Sequence, residues 1–427
     1  MLSPELCAIY ESILIEELQS AMGCTEPIAI AYAGAILRDL LGALPERIDV
    51  KLSGNIIKNV KSVIVPATGG MHGIEAAVAA GIISGRYDKR LDLLSCLTPA
   101  QQKEISALLE SCLIGVSELK SDCTFDLLLI GEGGGHRARV QITGYHTNLR
   151  LAERDGEDRL AFYADDTATG AKNATDRSAL TVKSIVEFAE HADLTRLLPY
   201  LSRQIELNMA IAEEGLKNRY GASIGQLLYR NGTASVKDSA RAYAAAGSDA
   251  RMSGCELPVC ILSGSGNQGI TASVPVIVYA RANNMDEDTL MRALIVSDLI
   301  TVHQKTGIGC LSAYCGAISA GCGCGAGISY LSGGRYHEIA HTVVNAVAIL
   351  SGTICDGAKP SCAAKIAMAV EAGFMGFEMA QSGRQFYGGD GIVTKGVENT
   401  IRNVGQLARD GMGETDREII RIMLETN

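Results

Sequence analysis

Three cysteines near the end of the chain carry the clearest chemistry: Cys315, Cys355 and Cys362, the last two bounding the run Cys-Asp-Gly-Ala-Lys-Pro-Ser-Cys. A cysteine that only packs needs no Gly, Pro or Asp around it. Thiolates that share a metal do, because the backbone must bend until several sulfurs face one point. Three protein ligands leave one coordination position for a substrate, which is the arrangement of a catalytic site rather than a closed structural one. The spacings of 40 and 7 residues match neither zinc ribbons nor two-cluster ferredoxins. Spacing alone therefore leaves two readings open, a metal site and inert buried thiols.

Cys24 stands in Gly23-Cys24-Thr25-Glu26-Pro27, just before a helical pattern. A helix N-terminus favours anions and lowers a thiol pKa, so a thiolate here could take a proton from a substrate; the plain alternative is a small core residue at a turn. His72, in Thr68-Gly69-Gly70-Met71-His72-Gly73, is the rival base or a loop histidine that binds a carboxylate. Ser263-Gly264-Ser265-Gly266-Asn267-Gln268-Gly269 offers backbone N–H groups and polar side chains to a carboxylate or phosphate. It has neither the Gly-Lys-Ser/Thr of a Walker loop nor dinucleotide spacing. It is similar to the phosphate loops of pyridoxal-phosphate enzymes, which makes such a cofactor, with Lys305 as its lysine, a rival. Gly388-Gly389-Asp390-Gly391-Ile392 reads as a turn.

These residues need elements to position them. Pro4–Leu18 and Ile28–Leu41 have helical periodicity, with Thr25 or Glu26 as cap of the second. Arg47–Leu52, Ser62–Val65, Phe125–Ile130, Arg137–Thr143 and Thr147–Ala152 read as strands, the last two as a hairpin across Gly144-Tyr145-His146. Gly73–Ile83 reads as a helix. Beyond Thr181, helical segments of small residues alternate with Gly-rich turns to the end. The fold class predicted is α+β, in three parts: a helix pair (1–44) packed on the all-α part, an α+β domain (45–178) and an all-α domain (179–427).

Composition narrows the function classes. The chain has 427 residues, 47% hydrophobic and 20% charged, with a formal net charge of −10 and no basic run, which argues against a nucleic-acid partner. No apolar run approaches the 18 residues of a membrane span. Thirteen cysteines, an odd number without a secretion signal, point to reduced thiols in a cytoplasm.

The motifs around Cys24, His72, Ser263–Gly269, Tyr314-Cys315-Gly316-Ala317, Cys355–Cys362 and Gly388–Ile392 resemble the L-cysteine desulfidase family. That family's C-terminal domain is similar to the alpha domain of iron–sulfur L-serine dehydratases. The resemblance covers nearly the whole chain. It implies a 4Fe-4S cluster held by Cys315, Cys355 and Cys362 with one open iron, and no such role for Cys310, Cys322 or Cys324. It implies Cys24 as the base for the α-proton and L-cysteine as the small-molecule substrate, split into sulfide, ammonia and pyruvate. Thr25, Gly69, Gly70, His72, Ser265, Asn267 and Gln268 are the substrate-binding candidates. A serine or threonine dehydratase with the same site, a non-catalytic metal-binding or thiol-sensing protein, and a homodimer stay open.

Overall fold

The computed structural model describes residues 2–95, 97–121, 123–163, 175–229, 235–309 and 311–425. The order is α1 (Pro4–Glu17), β1 (Ser20–Met22), α2 (Thr25–Leu41), β2 (Arg47–Leu52), α3 (Gly54–Val60), α4 (Ile74–Ser84), α5 (Pro99–Ser111), β3 (Leu113–Glu118), β4 (Asp126–Gly133), β5 (His136–Thr143), β6 (Leu149–Arg154), β7 (Glu157–Asp158) and α6 (Leu160–Tyr163). Then come α7 (Val182–His191), α8 (Leu198–Lys217), α9 (Ile224–Leu228), α10 (Val236–Met252), β8 (Pro258–Cys260), α11 (Gly266–Ala282), α12 (Glu287–Ile308), α13 (Gly316–Leu331), α14 (Tyr336–Leu350), α15 (Cys362–Gln381), α16 (Val397–Gln406) and α17 (Gly413–Glu425). The fold is α+β.

The six-stranded sheet runs β3-β2-β4-β5-β6-β7, with β2 and β3 parallel and the other neighbours antiparallel. The apolar positions Ile48, Val50 and Leu52 of β2 alternate inward with Leu127 and Leu129 of β4. The face they form is covered by α2 and α4. The two helices approach closely because residue 81 is glycine: a Cβ there would lie 1.9 Å from the Ala31 carbonyl oxygen.

Two expectations change here. The N-terminal helix pair is divided between two cores. Tyr10, Ile13 and Leu14 of α1 join the helical core, whereas Ile28, Ile36 and Leu37 of α2 join the core under the sheet. Ser62–Val65 is not a strand. Val65 N–H bonds the Met71 carbonyl and Ile64 makes a single antiparallel bridge with His72, while Pro66 has no N–H with which to extend a ladder. The structure adds α5 and the edge strand β3, which hydropathy alternation does not announce. The Thr98/Gln101 capping box at the start of α5 is the signal the sequence offers for it.

The helical core is built on small residues. A Cβ on Gly321 of α13 would lie 2.3 Å from the Ala369 carbonyl of α15, so these helices touch backbone to backbone. Cys322 and Cys324 are buried on the same helix. Cys310 lies outside the described residues. The strands β1 and β8 pair antiparallel and tie the chain before Cys24 to the chain before Ser263. At the other end, α17 lies across α3, held by the Lys58–Asp416 ion pair and by Lys61 donating to the Met423 carbonyl. Among the described residues no helix is long and apolar enough to cross a membrane.

Candidate active site

Four helices begin at one place. Cys24 is the N-cap of α2, Ser265 of α11, Cys315 of α13, and Cys362 is the first residue of α15. None of the four helix starts has a side-chain capping bond among the described residues. Their free N–H groups and positive dipole ends give the site a standing preference for anions.

The long spacing between Cys315 and Cys355 closes through a short backbone ladder. Cys315 N–H bonds the Thr353 carbonyl at 3.0 Å, Cys355 N–H bonds the Ala313 carbonyl at 2.5 Å, and Tyr314 and Ile354 form a bridge. The Cys315 and Cys355 sulfurs lie close enough to interact directly. That interaction raises the Cys315 thiol and lowers Cys355 against the effect of burial, with the Lys58 and Lys305 charges also drawing Cys355 down. Cys362 lies within electrostatic reach of both, and its Sγ is 3.7 Å from the Gly357 carbonyl. Gly357 (φ +93°) must be glycine, because a Cβ would lie 2.2 Å from the Lys58 carbonyl. Burial works against the Asp356 carboxylate, but Lys359 and Lys365 hold its pKa down at about 2, which braces the loop between the two cysteines.

Cys24 packs in one small cluster with Val63, Met252, Ala358 and Cys362. The expected lowering of its pKa by the helix terminus does not occur. Cys24 is 2% exposed, and burial pushes its pKa up to about 11, with Arg251 acting in the opposite direction. Desolvation of the thiolate outweighs one guanidinium and one helix end. Arg251, on α10, is within hydrogen-bonding reach of Cys24 and also donates to the Gly23 carbonyl (2.8 Å) and to Asn267 Oδ1 (3.2 Å). Thr25 Oγ1 donates to the Gly264 carbonyl at 3.3 Å, so the expected loop at 263–269 does reach the Cys24 turn. Gln268 lies against Gly316, where a Cβ would come within 2.7 Å of its amide carbon. The first turn of α11 thus spans from Arg251 to the residue beside Cys315.

The structure brings together Cys24, Thr25, Ser265, Asn267, Gln268, Cys315, Cys355 and Cys362. It does not bury Gly69, Gly70 or His72 with them. All three are exposed, on a turn with φ of +75° and +97° at the glycines, and the buried side of that loop contributes Val63 and Pro66 instead. Lys305 lies on α12 within electrostatic reach of Cys355. Sequence reasoning missed Arg251 and Lys58. The signal for Arg251 is a charge at the end of the run Ala244-Ala245-Ala246-Gly247-Ser248-Asp249-Ala250, whose small residues suit close packing rather than a solvated face.

The donor set tests the implied cluster. Two thiols in direct interaction, a third within electrostatic reach of both, and the Lys58, Lys305, Lys359 and Lys365 charges acting on them fit an anionic iron–sulfur group in chemistry. Among the described residues no three side chains of Cys, His, Asp or Glu stand in a ready-made metal-holding geometry. Loading would therefore include rearrangement of the thiols.

Comparison with known proteins agrees with this core. Residues 88–421 match the family model described as serine dehydratase alpha chain. That span contains Arg251, the 263–269 loop and the three cysteines; Cys24 lies upstream of it. A UPF0597 protein of Desulfitobacterium hafniense is 54% identical over 97% of this chain and 96% of its own length. UPF0597 proteins of Treponema denticola and Lachnoclostridium phytofermentans are 44% and 45% identical, over 97% and 96% of this chain and 97% and 98% of their own. The chain belongs to the serine dehydratase alpha chain family.

Proposed function

We propose that the protein is an iron–sulfur-dependent lyase that carries out α,β-elimination on L-cysteine, releasing sulfide and leaving aminoacrylate, which goes on to pyruvate and ammonia. The observation that carries this reading is the contact of Cys24 with Cys362 in a site that also holds Cys315 and Cys355. Cys315, Cys355 and Cys362 would hold the 4Fe-4S cluster, which when bound supplies an open iron as Lewis acid for the leaving group.

The chain's own residues supply the rest. Cys24 Sγ accepts the α-proton, the Cα electron pair forms the Cα–Cβ double bond, and the Cβ–S bond breaks toward the cysteine trio. With its pKa near 11, a free Cys24 thiolate is a strong base but scarce. At pH 8 its population is about one in a thousand, a cost of about 4 kcal/mol. Arg251 is the residue that lowers this cost. Burial of the Cys24 cluster keeps water from competing for the proton.

Leaving-group chemistry supports cysteine over serine. A thiol has a pKa of about 8.5, whereas water stands at about 15.7, so sulfide departs with less assistance. The family description favours L-serine as the second reading, with water as the leaving group. Protein purified and reconstituted without oxygen is incubated with L-cysteine, L-serine and L-threonine, and sulfide and 2-oxo acids are measured. Sulfide with pyruvate from cysteine is expected; pyruvate from serine alone supports the second reading, and no product from any of the three overturns both.

A further inference from the structure

Two buried polar atoms at the first turn of α11 have no partner among the described residues, and they differ in sign. Arg251 is 5% exposed, and its Nε–H donates to nothing. Gln268 is 6% exposed, and its Oε1 accepts from nothing. Buried polar atoms are paired in the great majority of cases, so two at one helix turn ask for a ligand. Glycines let both side chains pack close against the two helix starts. A Cβ on Gly266 would lie 2.3 Å from Arg251 Nε, and one on Gly316 would lie 2.8 Å from Gln268 Oε1. The guanidinium therefore rests on the start of α11, whose N-cap Ser265 makes no side-chain bond, and the amide rests on the start of α13 beside Cys315.

A zwitterionic α-amino acid is the complement of this pair, since it carries a carboxylate and an ammonium on one carbon. The geometry points to Arg251, with the free N–H groups of the first turn of α11, as the anchor of the substrate's α-carboxylate, and to Gln268 Oε1 as the acceptor for its α-ammonium. A guanidinium is charged at every working pH and its planar edge suits a carboxylate. This assignment moves carboxylate recognition away from the exposed Gly69–His72 turn. It requires both charges of the substrate, whatever the leaving group. It deepens the lyase reading and rests on it for the substrate class, but it is testable by binding alone.

L-Alanine has both charges and nothing to eliminate. Its binding to the anaerobically reconstituted protein is compared, by ligand-observed NMR, with that of L-alaninamide, which lacks the carboxylate, and propionate, which lacks the ammonium. The wild-type protein is expected to prefer L-alanine over each by about ten- to a hundredfold, the worth of a charge-assisted hydrogen bond. Arg251→Gln should abolish the preference over L-alaninamide and retain that over propionate, with Arg251→Lys recovering part of it. Gln268→Leu should do the reverse. A wild-type protein without preference for L-alanine overturns the assignment, as does Arg251→Gln with its carboxylate preference intact or with both preferences lost together. If neither cysteine nor serine is turned over yet the two substitutions still separate the two charges, the lyase reading falls and amino-acid recognition stands. If turnover is present and binding is blind to both charges, the lyase reading stands and the assignment falls.

Discussion

Replacing Asp298 with asparagine should stabilise the protein at neutral pH. Asp298 lies on α12 in the helical core, 0% exposed. Its Oδ1 accepts from Gln204 Nε2 at 3.0 Å. Its Oδ2 and Gln204 Oε1 are both buried acceptors without a partner among the described residues. One proton on Oδ2 would satisfy both atoms, closing an acid–amide pair of two hydrogen bonds. Burial pushes the Asp298 pKa up to about 7 from 3.8, with Gln204 opposing and Glu17 adding to the rise. The folded chain therefore keeps a proton between pH 4 and 7 that the unfolded chain has released. Stability from this group is fully present below pH 4 and is lost as pH rises to about 7. The shift of about three units amounts to about 4 kcal/mol at pH 8, an order-of-magnitude figure at about 1.4 kcal/mol per unit. Asparagine reproduces the acid–amide pair without a proton. Urea unfolding from pH 5 to pH 8 should show wild type losing about 3 kcal/mol relative to D298N, most of it below pH 7. Parallel pH profiles, or a D298N protein that is weaker at pH 8, would refute the protonated pair and mean that the Asp298 anion is compensated in the core.

Other outcomes are expected at the site. Cys24→Ala should keep its iron, by metal analysis, and lose turnover by about 10² to 10⁴, the range for removing a general base. Cys315→Ala should lose most of its iron under reconstitution while Cys322→Ala retains it, because Cys322 is buried on α13 away from the thiol pair. Lys58 is 2% exposed and pairs with Asp416. Lys58→Met should cost about 3–5 kcal/mol in thermal or denaturant unfolding, since it leaves a carboxylate without its cation, and Asp416→Leu added to it should recover most of the loss.

Local signals in the sequence located much of this site, and the reason is physical. Turns that bend backbone around a ligand need Gly, Pro and Asp, and such residues stand out around Cys24, Ser263–Gly269 and Cys355–Cys362. Periodicity likewise separates β2, β4, β5 and β6 from the helices. What it cannot carry is partnership. Helix α2 is apolar on nearly every face, so its pattern does not say whether the sheet or the helical core receives it. Gly69 and Gly70 satisfy the same compositional rule as Gly264 and Gly266, yet one pair makes an exposed turn and the other borders the buried cluster. The sign of the Cys24 shift was also out of reach, because local sequence shows the helix end that lowers a thiol pKa but not the burial that raises it. Arg251 reaches the Cys24 turn from 228 residues away, a contact that exists only after folding.

The four uncapped helix starts tie these points together. An N-cap side chain contributes about 1 kcal/mol, and some helices elsewhere in this protein take it: Ser3, Thr98, Thr181, Ser235 and Asp286 each cap their own. At the site the same position is held by Cys24, Cys315, a Ser265 that does not bond its helix and a Ser361 that does not either. Stability of about 4 kcal/mol is thus forgone in one small region. Uncapped starts occur elsewhere too, at α3, α4, α8, α9 and α16, so it is the convergence of four of them on one cluster of thiols, not the missing caps alone, that marks a site whose N–H groups face something other than the fold. Cysteine at that position presents a sulfur to the helix end, although at Cys24 burial outweighs the field of the helix and raises the thiol pKa. The same field favours a substrate carboxylate, so thiolates and carboxylate would compete for one set of donors unless a separate cation serves the carboxylate. Arg251, buried and with Nε–H unspent, is that cation.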